Sequence, residues 1–151
     1  VKQGNKNQQN ISIFEDKTLN FAPLICFDIA FSNTVRKSNK SSYFMINISN
    51  DTWFGESIGP YHHLDITRVR AIENNKWIIR STNDGFSAII TSNGTIVDKI
   101  EKGITGVINS GINIEKDRSF YNVYGYFIPY ILSILIIFIS AIMFKCRKIH
   151  S

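Results

Sequence analysis

APLICFDIA, at residues 22–30, is nearly continuous in apolar side chains, the pattern of a strand buried on both faces. A strand of that kind belongs in a parallel sheet covered by helices, so its neighbouring segments should alternate strand and helix. YFMINIS at 43–49 predicts a second buried strand, and Trp77 to Arg80 a third. Between them, HHLDITRVRAIENN at 62–75 has helical character. Leu64, Ala71 and Ile72 fall at compatible positions, and Asp65 with Arg68, like Arg70 with Glu73, forms an i,i+3 pair. Residues 86–91 and 95–100 flank Ser92-Asn93-Gly94, whose Asn-Gly step is a hairpin signal. Strand, helix, strand and hairpin together predict an α/β layered domain.

The chain has 151 residues, 44% hydrophobic and 19% charged, enough apolar material for one domain with a core and too much for a disordered chain. Its 2 cysteines exclude a disulfide scaffold and a four-cysteine zinc site. Asn occurs 15 times and Ile 27 times, so the Asn-x-Ser/Thr triplets at Asn10, Asn39, Asn47, Asn50 and Asn93 are expected by chance. The net charge of +5 is uneven: residues 1–126 carry 14 basic against 12 acidic side chains, and Lys145, Arg147 and Lys148 supply the rest. Basic character concentrated in a tail does not build a phosphate-binding face on the folded body, so no nucleic-acid partner is expected.

FIPYILSILIIFISAIMF at 127–144 is free of charge over 18 residues. At about 1.5 Å per residue this gives roughly 27 Å of helix, close to the thickness of a hydrocarbon core. Pro129 falls in the first turn, where its missing N–H does least harm, and Tyr124, Tyr126 and Tyr130 stand where an interfacial aromatic belt belongs. A transmembrane helix is expected at 127–144, with an interfacial linker at 121–126 and a basic cytoplasmic tail at 145–151. The positive-inside rule puts the preceding 120 or so residues on the other side. Val1 is not an initiator and no signal peptide opens the sequence, so the chain is expected to be the C-terminal part of a longer membrane protein.

Cys26 is the candidate nucleophile. Cysteine readily forms a thioester, but a thiol of ordinary pKa, about 8.5, is only a few per cent thiolate at neutral pH and needs a base and a nearby cation. Asp28 supplies neither. Two residues apart in a strand, Cys26 and Asp28 share a face, where an unscreened carboxylate works against the thiolate. Cys146 lies beyond the span and Cys26 before it, so the two are not expected to pair. His62 and His63 are adjacent, diverge by about 100° on a helix and cannot chelate one zinc together; they read as cap or surface residues. Arg80, Asn83 and Asp84 near Gly85 suit either a hydrogen-bonded turn or a site, Trp53 and Phe54 either packing or a substrate pocket, and Glu73 a structural partner of a nearby arginine or strand.

LICFDIAF at 24–31, ISNDTWFGESIGPYHHL at 48–64, RVRAIENNKWIIRSTNDGFSAII at 68–90 and SNGTIVDKI at 92–100 follow in the order and spacing of the carbon-nitrogen hydrolase, or nitrilase, superfamily. Within it, these runs and the C-terminal span resemble the end of the apolipoprotein N-acyltransferase family. The resemblance covers roughly residues 20–148. It implies a nitrilase-like αββα sandwich, present in part over residues 1–120, on the periplasmic side of the bacterial inner membrane. It further implies N-acylation: a phospholipid donates an acyl chain to Cys26, and the thioester passes it to the amino terminus of a diacylglyceryl-apolipoprotein. Phe27 and Asp28 become adjacent site positions, standing where the family commonly has Tyr and Glu. Trp53, Phe54 and Asn83 become candidates for substrate binding. No metal or nucleotide cofactor is expected. The superfamily's Glu and Lys partners lie upstream of the cysteine strand, where this chain offers only Lys2, Lys6, Lys17, Glu15 and Asp16, none in a recognisable motif, so these residues alone are expected to be inactive. A soluble-amide amidase of the same superfamily, or a non-catalytic membrane-anchored remnant, are the alternatives.

Overall fold

The computed structural model describes the backbone of residues 9–13 and 17–149, with side chains from Leu19 to Phe144. Lys2, Lys6, Glu15 and Asp16, and the side chains of Lys17 and of the tail with Cys146, lie outside the described residues.

A mixed six-stranded sheet runs in chain order. β1 (Gln9–Ile13) and β2 (Lys17–Ile25) pair antiparallel. β2 then runs parallel to β3 (Phe44–Asn50), and β3 parallel to β4 (Ile78–Asn83). Parallel neighbours require a crossover, and each crossover here is a 3-10 turn followed by a helix. The first consists of Cys26–Ala30 and α1 (Ser32–Ser38), the second of Thr52–Phe54 and α2 (Gly59–Asn74). β5 (Ser87–Ile90) and β6 (Ile96–Ile100) close the sheet antiparallel. The Asn93-Gly94 hairpin is present, with Gly94 at φ +81° and its N–H on the Thr91 carbonyl at 2.9 Å.

Because side chains alternate across a strand, β2 to β5 feed two cores. Ala22, Leu24, Met45, Ile78, Ala88 and Ile90 point toward the helices and pack with Ile29, Val35, Leu64 and Ala71. On α2 the buried residues Pro60, His63, Leu64, Thr67, Ala71 and Asn74 recur every three or four positions, as a helix lying on a sheet requires. The opposite face holds Phe21, Phe44, Trp77 and Ile89, against which Ile108 and Ile112 of the segment after β6 pack. That face opens toward the strand ends. Ile25 and Ile48, partners across β2 and β3, are 59% and 56% exposed. One helical layer on one sheet is the α/β arrangement expected of part of an αββα sandwich.

Three boundaries differ from those read off the sequence. The strand expected at 22–30 stops at Ile25, because Cys26 takes φ +50° and turns the chain out of the sheet. α2 starts at Gly59 rather than 62, with Pro60 in its first turn, where a missing N–H is harmless. The strand begun near Trp77 continues to Asn83, in register with β3 as far as Asn50.

Beyond the sheet, α3 (Phe120–Tyr124) docks on the C-terminal end of α2. The amide nitrogen of buried Asn122 donates to Asn74 Oδ1 at 2.6 Å, Ser119 Oγ donates to the Glu73 carbonyl, and Lys76 Nζ donates to the carbonyls of Glu115 and Asp117. The hydroxyls of Ser32 and Tyr126 meet at 2.5 Å, tying α1 to the same region. α4 (Phe127–Ile149) follows; its window Phe127–Phe144 is long and apolar enough to cross a membrane, and none of it is buried against the rest of the molecule.

Candidate active site

The C-terminal ends of the parallel strands β2, β3 and β4 converge, the place where open α/β sheets bind ligands. Cys26 sits at the end of β2 in the left-handed region, a conformation that a non-glycine residue holds only when its surroundings enforce it. Those surroundings are visible. Asn47 Nδ2 donates to the carbonyls of Leu24 at 3.1 Å and Cys26 at 3.3 Å, clamping the chain on both sides of the turn. Arg70 reaches from α2 and donates Nε to the Ile29 carbonyl and Nη2 to the Ala30 carbonyl, both at 2.9 Å, satisfying the carbonyls at the end of the 3-10 turn. Its remaining nitrogen pairs with Glu73 at 2.6 Å, so Glu73 is a structural partner.

The turn corrects the expected relation between Cys26 and Asp28. They do not share a strand face. Asp28 Oδ2 accepts the Ile25 N–H at 3.1 Å and so caps the turn, while the sulfur points to β3. Partly exposed, the sulfur lies 3.7 Å from Ser49 Oγ and 4.0 Å from the Asn50 carbonyl.

Beneath Ser49 lies a polar cluster with no solvent access. Asp51 Oδ1 accepts hydrogen bonds from Ser49 Oγ at 2.7 Å and His63 Nδ1 at 2.9 Å, and its Oδ2 accepts from Arg80 Nη2 at 2.7 Å. Arg80 also donates to Asn47 Oδ1, to Thr67 Oγ1 at 3.3 Å and to the Phe86 carbonyl at 3.2 Å, so every guanidinium nitrogen has a partner. Burial pushes the Asp51 pKa up, but the bonds from His63 and Ser49 and the Arg80 charge outweigh it and hold the carboxyl below its usual range. For Arg80 burial prevails over the Asp51 charge and lowers its pKa. Gly85 makes room for the cluster, since a Cβ there would collide with the Asp51 carboxylate.

One expectation for these residues is overturned. His63 is not a cap or surface residue: α2 begins at Gly59, so His63 lies inside the helix on the buried stripe with Pro60 and Thr67, and His62 is exposed. Arg80 lies in β4, as the strand read at Trp77 to Arg80 requires, and of the two readings left open for it the buried pairing with Asp51 sets the turn aside. Asn47, Ser49 and Asp51, which no spacing rule singled out, complete the cluster. Two of them stood in the quoted SNDTWFG run, yet their partners lie on other strands and on α2.

An aromatic ridge borders the turn. Phe27 is in edge contact with Phe31 and Trp53, with ring centres 6.0 and 6.1 Å away, and lies 5.6 Å from the His63 ring; Trp53 stacks on Phe54 at 4.0 Å. Phe54 packs so closely on Gly59 that a Cβ at that glycine would overlap its ring. Phe27, Trp53 and Phe54 are therefore brought together beside Cys26. Asn83 is not among them. With Asp84 and Ser49 it lines a polar cavity of about 600 Å³ whose other walls come from Ile48, Gly85 and the segment 103–106. Among the described residues, no three His, Cys, Asp or Glu side chains converge as metal ligands.

Residues 1–120 match the family model of the carbon-nitrogen hydrolases. The chain belongs to the carbon-nitrogen hydrolase family. This carbon-nitrogen hydrolase chain is 36% identical over 128 residues to apolipoprotein N-acyltransferase of Photobacterium profundum, covering 84% of this chain and 25% of that protein. It is 33% identical to the enzyme of the same name from Wigglesworthia glossinidia brevipalpis, over 99% of this chain and 29% of that one. It thus spans between a quarter and a third of the length of these curated relatives. A carbon-nitrogen hydrolase from Helicobacter pylori G27 superimposes with a TM-score of 0.51 at 16% identity, over 56% of this chain and 37% of that one. Saccharomyces cerevisiae Nit3, of branch 10 of the nitrilase superfamily, gives 0.50 at 21% identity, over 67% and 39%. Both share the nitrilase-like fold.

Proposed function

We propose that this chain contributes the nucleophile-bearing part of an apolipoprotein N-acyltransferase, with Cys26 carrying the acyl group. The observation behind this reading is the position of Cys26. It stands in a left-handed turn at the end of a parallel strand, partly exposed, between a buried cluster and an aromatic ridge, in a chain more than 30% identical to enzymes of that name.

In the proposed reaction the thiolate attacks the ester carbonyl of a phospholipid, and the tetrahedral intermediate collapses to a thioester as the lysophospholipid alkoxide leaves and takes up a proton. The amino terminus of a diacylglyceryl-apolipoprotein then attacks the thioester, forms the amide and returns the sulfur as a thiol. The sulfur's hydrogen-bond partners here, a hydroxyl and a carbonyl, are not bases. The proton acceptor and the cation facing the oxyanion are assigned to the Glu and Lys that the family resemblance implies, outside the described residues. The exposed rings of Phe27, Phe31 and Trp53 give the acyl chain an apolar surface beside the sulfur. α4 as a span of the bacterial inner membrane, with residues 1–120 in the periplasm and 145–151 in the cytoplasm, puts that surface within reach of both lipid substrates.

The test is intact-protein and peptide mass spectrometry on the complete membrane-embedded protein, incubated with phospholipid and no acceptor. An acyl thioester on the Cys26 peptide, released by hydroxylamine and discharged by a diacylglyceryl-peptide, is the expected result. Acylation elsewhere, or none, overturns the assignment.

A further inference from the structure

Ser49 carries one hydroxyl hydrogen and stands between two acceptors. Its Oγ is 2.7 Å from Asp51 Oδ1 and 3.7 Å from Cys26 Sγ, at a position on β3 only 5% exposed. The hydrogen serves one acceptor at a time. While the sulfur is a thiol it has an outlet for its own proton in the Asn50 carbonyl at 4.0 Å, and the hydroxyl rests on the carboxylate. A thiolate is a far better acceptor than a thiol, because hydrogen bonds to ionised groups are about twice as strong as neutral ones, and it then competes for the hydroxyl with a carboxylate that has two other donors. When the hydroxyl rotates to the thiolate, Asp51 keeps the bonds from His63 and Arg80, so its buried charge is never left bare.

We infer that Ser49 is a switching hydrogen-bond donor to the Cys26 thiolate, and that Asp51, Arg80 and His63 are positioning residues holding it in reach of the sulfur. Resting on Cys26 as the nucleophile, this assigns the buried cluster a task beyond packing. Among the described residues, the charged and titratable groups around the sulfur are Asp28 on its own turn, Asp51 after β3, Arg80 on β4 and His63 on α2. Asp28 is turned away to its cap, and the Asp51 charge is balanced by Arg80, whose guanidinium in turn feels the charge on Cys26. Once the proton has gone to the general base, the hydroxyl is the one neutral donor seen within hydrogen-bonding reach of the sulfur among the described residues.

The experiment measures the pH dependence of iodoacetamide alkylation of Cys26 in the complete membrane-embedded protein, read on the Cys26 peptide so that Cys146 does not contribute. Ser49→Ala is expected to move the half-maximal pH up by about one unit and to slow alkylation near neutrality about tenfold. At a pH well above the transition it should match the parent, which shows a folded and accessible site. Ser49→Thr, which keeps the hydroxyl, should restore the parental profile, and in turnover Ser49→Ala should lower kcat with little change in KM for phospholipid. An unchanged alkylation profile in Ser49→Ala, or a Thr variant no closer to the parent than the Ala variant, overturns the inference. Absence of a Cys26 thioester in the parent protein overturns the nucleophile assignment instead, so the two failures are distinguishable.

Discussion

At its N-terminal half α2 gives His63 and Thr67 to a charged cluster with Asp51 and Arg80, whereas at its C-terminal end Asn74 meets Asn122 in a neutral amide pair. Both groups are buried and both join elements far apart in the chain. They differ in what burial costs. Two ions withdrawn from water lose several kcal/mol of hydration each, which their attraction offsets only when every remaining donor is satisfied. An amide pair loses far less. A fold that needed only cohesion would be served equally well by the neutral kind. The ion pair lies directly under the cysteine turn, whereas where the body meets the apolar helix the amide pair is joined by Lys76 and Arg118, whose charged nitrogens are held by carbonyl and amide oxygens.

That contrast can be broken by substitution, beginning with the largest effect. Cys26→Ala should abolish acyl transfer, a loss of at least about a thousandfold as for other removed nucleophiles, yet leave the thermal melt of the complete protein within about 1 °C. Transfer that survives would detach the cluster from the chemistry. Arg80→Met strands Asp51 as an unpaired buried charge and should cost about 3–5 kcal/mol, seen as a large drop in melting temperature. Pairing it with Asp51→Asn should recover part of that loss, and strict additivity of the two would show that the ion pair is not coupled.

Asn122→Ala at the other end should cost less, about 1–3 kcal/mol, because it orphans the Asn74 amide oxygen and the Arg118 Nε–H, while the guanidinium keeps its bond to the Asn122 carbonyl. Thioester formation on Cys26 should persist in that variant once it is kept below its melting temperature; a loss of acylation as deep as in Cys26→Ala would mean that the two ends of α2 are not separable. The smallest effect is acid dependence. Because the Asp51 pKa is depressed in the fold, its contribution to stability is fully present above the unfolded carboxylate value, about 3.9, and is lost as pH falls through the lower folded value. Melts taken through that acid window should be steeper in pH for the parent than for Asp51→Asn, while Asn122→Ala should retain the parental slope.

Much of the fold could be read from the chain because its cues are local. The apolar runs at β2 and β3, the Asn93-Gly94 hairpin and the charge-free helix at Phe127–Phe144 each depend on residues within a few positions of one another. The family, too, was legible in the spacing of several motifs. The end of β2 was not, since an apolar run carries no mark of where φ changes sign, and Asp28, read as a strand residue facing the thiol, proved to be a cap. His63 was misplaced because adjacency to His62 fixes only the angle between the two rings, and which of them faces the sheet is set by how α2 packs.

Composition, periodicity and motif order therefore determined the α/β class, the apolar C-terminal helix and the cysteine around which the chemistry is proposed. Only the tertiary structure decided that Ser49, Asp51, His63 and Arg80 form one cluster beneath that cysteine. Their meeting depends on the register of β3 against β4, which pairs Asn47 with Arg80, and on the pitch at which α2 crosses the sheet. Those are properties of long-range pairing, set by the packing of whole faces, and neighbours along the chain carry no record of them.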